Sequence, residues 1–161
     1  MNKKVLTITH AAVIAALYVV LTLVANALGL ASNAIQVRFS EALTILPYFT
    51  PAAIPGLFVG CLLSNIMTGC ALPDIFFGSL ATLIGAIFTR KLRKSKWMAP
   101  LPPIVANAIL IPPVLLFAYG IKPYWFSLLT VTIGEIISCG ILGMLLLFAL
   151  QKHAGRIFSQ R

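Results

Sequence analysis

Three carboxylates stand out in a chain that is almost free of acidic residues. Glu41, Asp74 and Glu135 are the only acidic side chains among its 161 residues. A carboxylate inside an apolar membrane segment costs roughly 2.5–3.5 kcal/mol on insertion scales, so it is normally accompanied by a partner, a cavity or a proton. We therefore predict that the three acids line one polar pocket, which binds a small molecule that is cationic or rich in hydrogen-bond donors.

Each acid also has a purely structural interpretation. Glu135 could accept a hydrogen bond from a neighbouring helix, and Arg38 and Glu41, three residues apart, could pair on a helix surface. Asp74 precedes an apolar run and could be the N-cap of a helix. Capping and ligand binding do not exclude each other, so both alternatives stay open.

Amides and aromatic residues supply further candidate binding groups. Asn65 and Asn107 lie among apolar residues, where an amide without partners is costly, so each must bond to a helix or to a ligand. An amide both donates and accepts, which suits the edge of a heterocycle. Tyr119 and Trp125 lie near predicted outer helix ends, where they fit either an interfacial aromatic belt or a wall on which a flat ring stacks.

The sequence shows no catalytic constellation. It contains no Ser-x-x-Lys or His-Glu-x-x-His pattern and no histidine deep in a predicted membrane segment. Cys61, Cys70 and Cys139 lack metal or redox spacing and are interpreted as small apolar helix residues. A nucleotide-binding Gly-Lys-Ser/Thr loop is also missing. We predict a binding protein rather than an enzyme, with no cofactor and no bound metal.

Composition places the chain in a lipid bilayer. Hydrophobic residues make up 60% of it and charged residues 9%, whereas soluble domains carry about 25% charged residues; the mean hydropathy is +1.03. The net charge of +9 is concentrated near residues 3–4, 90–96 and 152–161. Such clusters cap apolar segments and indicate the positive-inside pattern of membrane proteins rather than nucleic-acid binding.

Hydrophobic segments and their breaks predict an all-α membrane protein, a single domain over residues 1–161 that forms a bundle of six transmembrane helices. Both termini and the 90–96 loop are expected on the cytoplasmic side. Residues 31–37 are expected to form an outer loop. The first apolar run exceeds the length of a signal-peptide core and is expected to be retained. The predicted helices are 5–30, 40–49, 52–67, 75–92, 101–119 and 124–151.

Small residues spaced four apart predict two close helix contacts. One face carries Ala11 and Ala15 in the first helix, and the other carries Gly56 and Gly60 in the third. The alanine face could dock a partner protein or pack against a neighbouring helix of the same chain.

Five segments together resemble the QueT family of queuosine-precursor transporters. The resemblance covers nearly the whole chain. It is carried by residues 35–47 (IQVRFSEALTILP), 56–65 (GLFVGCLLSN), 74–86 (DIFFGSLATLIGA), 101–109 (LPPIVANAI) and 134–139 (GEIISC).

That resemblance implies the substrate-binding component, or S-component, of an energy-coupling factor transporter in the cell membrane. It implies a six-helix bundle with an outer ligand pocket, which works with a transmembrane coupling subunit and two cytoplasmic ATPases. The Ala11–Ala15 face would dock the coupling subunit. The implied ligand is a 7-deazaguanine such as preQ1, preQ0 or queuine.

For such a ligand, Glu135 with Asn107 would bind the guanine-like edge. Glu41 or Asp74 would meet the aminomethyl cation or form an outer gate. Three alternatives stay open: an S-component for another vitamin-like molecule, a stand-alone secondary carrier, and a membrane scaffold without a ligand.

Overall fold

The computed structural model describes residues 2–30 and 37–158, which form helices and connecting turns without a β-strand. The predicted outer loop at 31–37 therefore lies almost wholly outside the described residues. The α-helices are α1 Lys3–Ala27, α2 Ala53–Met67, α3 Leu72–Lys91, α4 Leu101–Tyr119, α5 Tyr124–Glu135, α6 Gly143–Gln151 and the short α7 Ala154–Ile157. The other helical elements are 3₁₀ segments at Phe39–Tyr48 and Lys96–Met98 and a π-helical stretch at Ile136–Leu142.

Four helical stretches are long and apolar enough to cross a membrane. They are α1, α3, Lys96–Tyr119 and Tyr124–Gln151, the last of which joins α5 and α6 through the π-helical stretch. The prediction of an all-helical, multi-pass membrane protein is confirmed. The two remaining predicted spans are shorter than a bilayer: α2 has 15 residues, or about 22 Å, and the longer 3₁₀ segment is about 20 Å long.

Successive segments run in alternating directions between two ends of the bundle. One end, here called the basic end, holds Lys3 and Lys4 at the start of α1 and the Arg90–Lys96 stretch after α3. At the opposite end the α4 residue Tyr119 contacts the start of α3 through Ala71 and Asp74. The positive clusters at 3–4 and 90–96 therefore lie at the opposite end of the bundle from the Tyr119–Asp74 contact.

The 3₁₀ segment Phe39–Tyr48 is an internal element rather than a surface helix. Every residue from Ser40 to Pro47 is buried. Arg90 closes its end at the basic end of the bundle, where Nη1 donates to the carbonyl oxygens of Pro47 at 3.2 Å and Tyr48 at 3.3 Å. A short helix at membrane depth is tolerated when protein covers it and its free carbonyls are satisfied.

The predicted small-residue faces pack against each other within the chain. A Cβ added at Gly56 would lie 2.7 Å from the carbonyl oxygen of Ala11, and one added at Gly60 would lie 3.0 Å from that of Ala15. The backbones of α1 and α2 therefore approach as closely as glycine allows. The contact corresponds to the internal-packing alternative for Ala11 and Ala15.

We expect Gly60→Ala to destabilise the protein, because the new Cβ would also lie 2.7 Å from the Cβ of Tyr18. Overpacking of this kind costs about 1–3 kcal/mol. Gly140→Ala is the control, since it replaces a glycine in the π-helical stretch where the new Cβ would meet nothing closer than 3.8 Å. Thermal unfolding in detergent measures both. An equal melting temperature for the two variants would contradict close α1–α2 packing.

Candidate functional site

A cavity of about 200 Å³ lies at the end of the bundle away from the basic end. Four of the residues predicted to bind a ligand share its lining: Arg38, Asn65, Asp74 and Tyr119. The cavity is lined by Thr22, Asn26, Arg38, Asn65, Thr68, Cys70, Asp74, Leu115, Tyr119 and Ile121. The ends of α1, α2 and α4 and the start of α3 thus bring together residues that are up to 99 positions apart in the sequence.

Asp74 presents a buried carboxylate to this cavity. Its Oδ2 accepts a hydrogen bond of 3.2 Å from the Tyr119 hydroxyl, while its Oδ1 has no partner among the described residues. The interpretation of Asp74 as an N-cap is wrong, because α3 begins at Leu72 and Ala71 occupies the cap position. Pro73 lies in the first turn of α3. Proline is favourable there because the N–H group that it lacks would have no partner within the helix.

Arg38 lies between the cavity and the interior, at the N-cap position of the 3₁₀ segment. Its backbone N–H donates to the Ser138 hydroxyl at 3.2 Å, which ties the segment to the π-helical stretch. The guanidinium lies within electrostatic range of both Asp74 and Glu41, yet it forms no hydrogen bond with a described carboxylate. The Arg38 guanidinium is therefore close enough to attract both carboxylates, but it forms a direct ion pair with neither.

Glu41 lies deeper than the sequence predicted. It is only 2% exposed, so the alternative of a surface pair with Arg38 is wrong. Its Oε1 accepts a hydrogen bond from the hydroxyl of Tyr18, which is itself buried in α1. The second oxygen, Oε2, has no hydrogen-bond partner among the described residues, and a buried acceptor in that condition is costly.

Glu41, Glu135 and Cys139 form a compact group, here called the inner acidic cluster. One potential ligand atom from each of the three lies within 4.8 Å of the others. The Cys139 thiol donates to Glu135 Oε2 at 3.1 Å, and the Thr44 hydroxyl donates to Cys139 Sγ at 3.3 Å. Of the three acids predicted to line one pocket, Asp74 lines the cavity, whereas Glu41 and Glu135 lie together in the inner acidic cluster and are not part of the cavity lining. A role in ligand binding stays a prediction for both.

The π-helical stretch begins directly after Glu135. Such wide turns occur mainly as local features at functional positions, and this one carries Ser138 and Cys139 toward the 3₁₀ segment. Asn107 of α4 is buried and its amide lies close to the Glu135 carboxylate, although Nδ2 makes no hydrogen bond of regular geometry with a described residue. An incompletely bonded donor thus lies beside the inner acidic cluster.

Thr22 connects the cavity with the inner acidic cluster. It lines the cavity, and its hydroxyl donates at 2.8 Å to Ser40, the residue before Glu41. If all three acids are ionised, this interior holds three negative charges against the single positive charge of Arg38. The arrangement favours a ligand that brings positive charge or several hydrogen-bond donors.

Trp125 does not share this lining. Its side chain is 60% exposed and meets Phe126 edge to face, a position typical of an interfacial aromatic residue. A stacking role for Trp125 stays a prediction, and of the two aromatic candidates Tyr119 is the one at the cavity.

Sequence reasoning missed Tyr18, Thr22 and Cys139 as members of the site. Cys139 was interpreted as an apolar helix residue, whereas its thiol contacts Glu135. Tyr18 carried a usable signal: a phenol in the middle of a membrane helix, far from either interface, needs a hydrogen-bond partner. Its partner could not be named without the fold.

We expect Tyr18→Phe to destabilise the protein by about 1–3 kcal/mol, because Glu41 loses its only described side-chain donor. Tyr124→Phe is the matched control, since Tyr124 lies exposed at the start of α5. Chemical unfolding of the two variants in detergent provides the comparison. A Tyr18→Phe protein as stable as the control would show that the phenol is not needed to hold the carboxylate.

Comparison with known proteins gives two matches. A model of the family described as QueT transporter matches residues 8–152. The chain is also 33% identical over 83 residues to a Lactococcus lactis protein named queuosine precursor transporter QueT. That match covers 52% of this chain and 48% of the relative, so it spans about half the relative's length. No solved structure matches the chain.

Proposed function

The chain belongs to the QueT transporter family, and from that membership we propose that it is the substrate-binding component of an energy-coupling factor importer for a queuosine precursor. Membership in the family supports a transporter rather than an enzyme. The name of the Lactococcus lactis relative supports the class of ligand. The local observation that carries the proposal is the set of buried, incompletely bonded acids at and below one cavity.

The chemistry of a 7-deazaguanine suits these groups. Its N1–H and exocyclic amine lie side by side, so one carboxylate can accept from both. We assign this edge to Glu135, with Asn107 beside it supplying an amide donor for the ring carbonyl. An aminomethyl group, where the precursor carries one, is a cation, and the free oxygens of Glu41 and Asp74 are acceptors for it.

Charge sets the orientation that we propose. The positive-inside rule places Lys3, Lys4 and the Arg90–Lys96 stretch in the cytoplasm, so the cavity faces outward, where an importer meets its ligand. Both termini are then cytoplasmic, and the 3₁₀ segment and α2 count as two short crossings among six. The membrane is the cell membrane, because the ligand arrives from outside.

Energy for import would come from partners. The sequence has no nucleotide-binding loop, which fits a component that works with a transmembrane coupling subunit and two cytoplasmic ATPases. Ala11 and Ala15 are occupied by α2, but Ala12 and Ala16, one position further along the same helix, are exposed. We propose that docking uses this neighbouring pair, because small residues allow a second helix to approach closely.

We expect Glu135→Gln to weaken binding of preQ1 by about tenfold or more, since a charge-assisted hydrogen bond contributes about 1.5–3 kcal/mol. Isothermal titration calorimetry of the detergent-purified chain against preQ1, preQ0, queuine, riboflavin and thiamine identifies the ligand. The same titration of Glu135→Gln measures the loss of affinity. Lys152→Gln, at the basic end, is the control for a change of one charge. Unchanged affinity in Glu135→Gln would reject this assignment, and saturable binding of riboflavin or thiamine alone would reject the ligand class.

We expect Ala12→Trp and Ala16→Trp to reduce uptake and co-purification with the coupling subunit while ligand binding is retained. Ile141→Trp, on an exposed face of the π-helical stretch, is the control for a bulky residue facing lipid. Uptake is measured in cells with and without the coupling subunit and ATPases. Full uptake without those partners would favour a stand-alone secondary carrier and overturn the S-component proposal.

A further inference from the structure

An apolar groove of about 450 Å³ runs along the outer face of α3 and α4, apart from the acidic site. It extends over Ile84–Leu92 on α3 and Leu101–Leu110 on α4. The two helices touch where a Cβ on Gly85 would lie 2.8 Å from Pro103, and the groove lies beside that contact. Phe88, Val105 and Ile109 along it are about half exposed.

The length of the groove matches one leaflet of a bilayer. Eight residues separate Ile84 from Leu92, which is about 12 Å of helix, against about 15 Å for half of a hydrocarbon core of about 30 Å. It begins at Ile109 and Leu110, in the middle of α4, and ends beside the basic 90–96 stretch. A lipid chain lying in it would place its headgroup at the level of the lysines and arginines.

One of these cations is directed to the groove. The Lys91 ammonium lies 5.0 Å from the centre of the Phe88 ring, and Phe88 is part of the groove lining. Lys96 points elsewhere, to the rings of Trp97 and Phe148, and Arg90 is engaged with the end of the 3₁₀ segment. Lys91 is therefore the cation of this stretch that is seen in contact with the groove lining.

A second groove on the same helix pair provides a comparison. It continues from Ile109 and Leu110 toward the other end of the bundle, past Phe77 and Phe117. Neither groove has a charged residue in its described lining, but the first contains Phe88, which Lys91 contacts. Apolar grooves are thus present along the whole face, whereas Lys91, the cation seen against a lining residue, lies at the basic end. This asymmetry distinguishes a site for an anionic headgroup from a surface that takes any lipid.

We propose that the groove of α3 and α4 together with Lys91 is a binding site for an anionic phospholipid of the leaflet at the basic end. The acyl chain fills the apolar groove, and the phosphate pairs with the Lys91 ammonium. The site is separate from the cavity that holds Asp74, so it does not depend on the identity of the transported ligand.

The test compares two variants with the same change of charge, Lys91→Gln and Lys96→Gln. Thermal unfolding of the full chain in detergent is measured with added phosphatidylglycerol, phosphatidylcholine or glycerol phosphate. We expect phosphatidylglycerol to raise the melting temperature of the parent protein and of Lys96→Gln. Lys91→Gln is expected to lose most of that shift, and phosphatidylcholine and glycerol phosphate are expected to give little.

A second pair of variants tests the groove itself. Val105→Trp fills it, and Ile141→Trp places the same ring on a different exposed face. Native mass spectrometry should show retained phosphatidylglycerol on the parent protein and Ile141→Trp but much less on Val105→Trp. Equal shifts with phosphatidylcholine and phosphatidylglycerol, or equal losses in Lys91→Gln and Lys96→Gln, would overturn the proposal in favour of unselective lipid contact. A stable protein bound at this face in place of lipid would overturn it as well.

Discussion

The structure depends on placing carboxylates inside a bundle that is surrounded by lipid. An ionised carboxylate without partners has a high free-energy cost in such a medium. The fold must therefore supply hydrogen-bond donors at fixed positions. For Glu41 it does so only in part, through the Tyr18 hydroxyl on one oxygen. The same incomplete satisfaction occurs at Asp74, where Tyr119 serves one oxygen and leaves the other free. Glu41 and Asp74 are thus each held in place by a phenol, and each keeps one oxygen without a hydrogen-bond partner among the described residues.

Close helix packing is what brings the first of these phenols to its acid. Gly60 allows α2 to lie directly against α1 at Ala15 and Tyr18, and Tyr18 then faces the buried 3₁₀ segment. The segment in turn is fixed at its other end by Arg90. A glycine at a helix contact therefore helps to position a carboxylate through Tyr18, and the stability of the packing is coupled to that of the site.

The sequence predicted the helical segments better than it predicted which side chains contact each other. Hydropathy and the positive clusters predicted the helices to within a few residues, including the short element around Glu41, because apolar runs and prolines act locally. The π-helical stretch after Glu135 was not predicted, since it preserves the helical pattern and differs only in the width of its turns. The contacts Tyr18–Glu41 and Cys139–Glu135 differ in kind: the second joins neighbours on one helix, whereas the first depends on how two segments 23 residues apart meet. The N-cap interpretation of Asp74 failed because Pro73 lets the helix begin earlier.

The size of the cavity indicates where the protein must adjust to its ligand. At about 200 Å³ it is smaller than the roughly 300–1,000 Å³ of ordinary small-molecule pockets, so a flat heterocycle that reaches the inner acidic cluster requires side chains to move. The inner acidic cluster is a poor place for that movement, because buried helices and several hydrogen bonds hold it. Tyr119 is 44% exposed, and among the described residues its hydroxyl bonds to Ala71 and Asp74. For the proposed ligand, we expect entry to exchange the outer Tyr119–Asp74 contact for contacts with the ligand, while Glu41 and Glu135 stay in place. The outer residues would then control access, and the inner residues would determine which ligand chemistry is accepted.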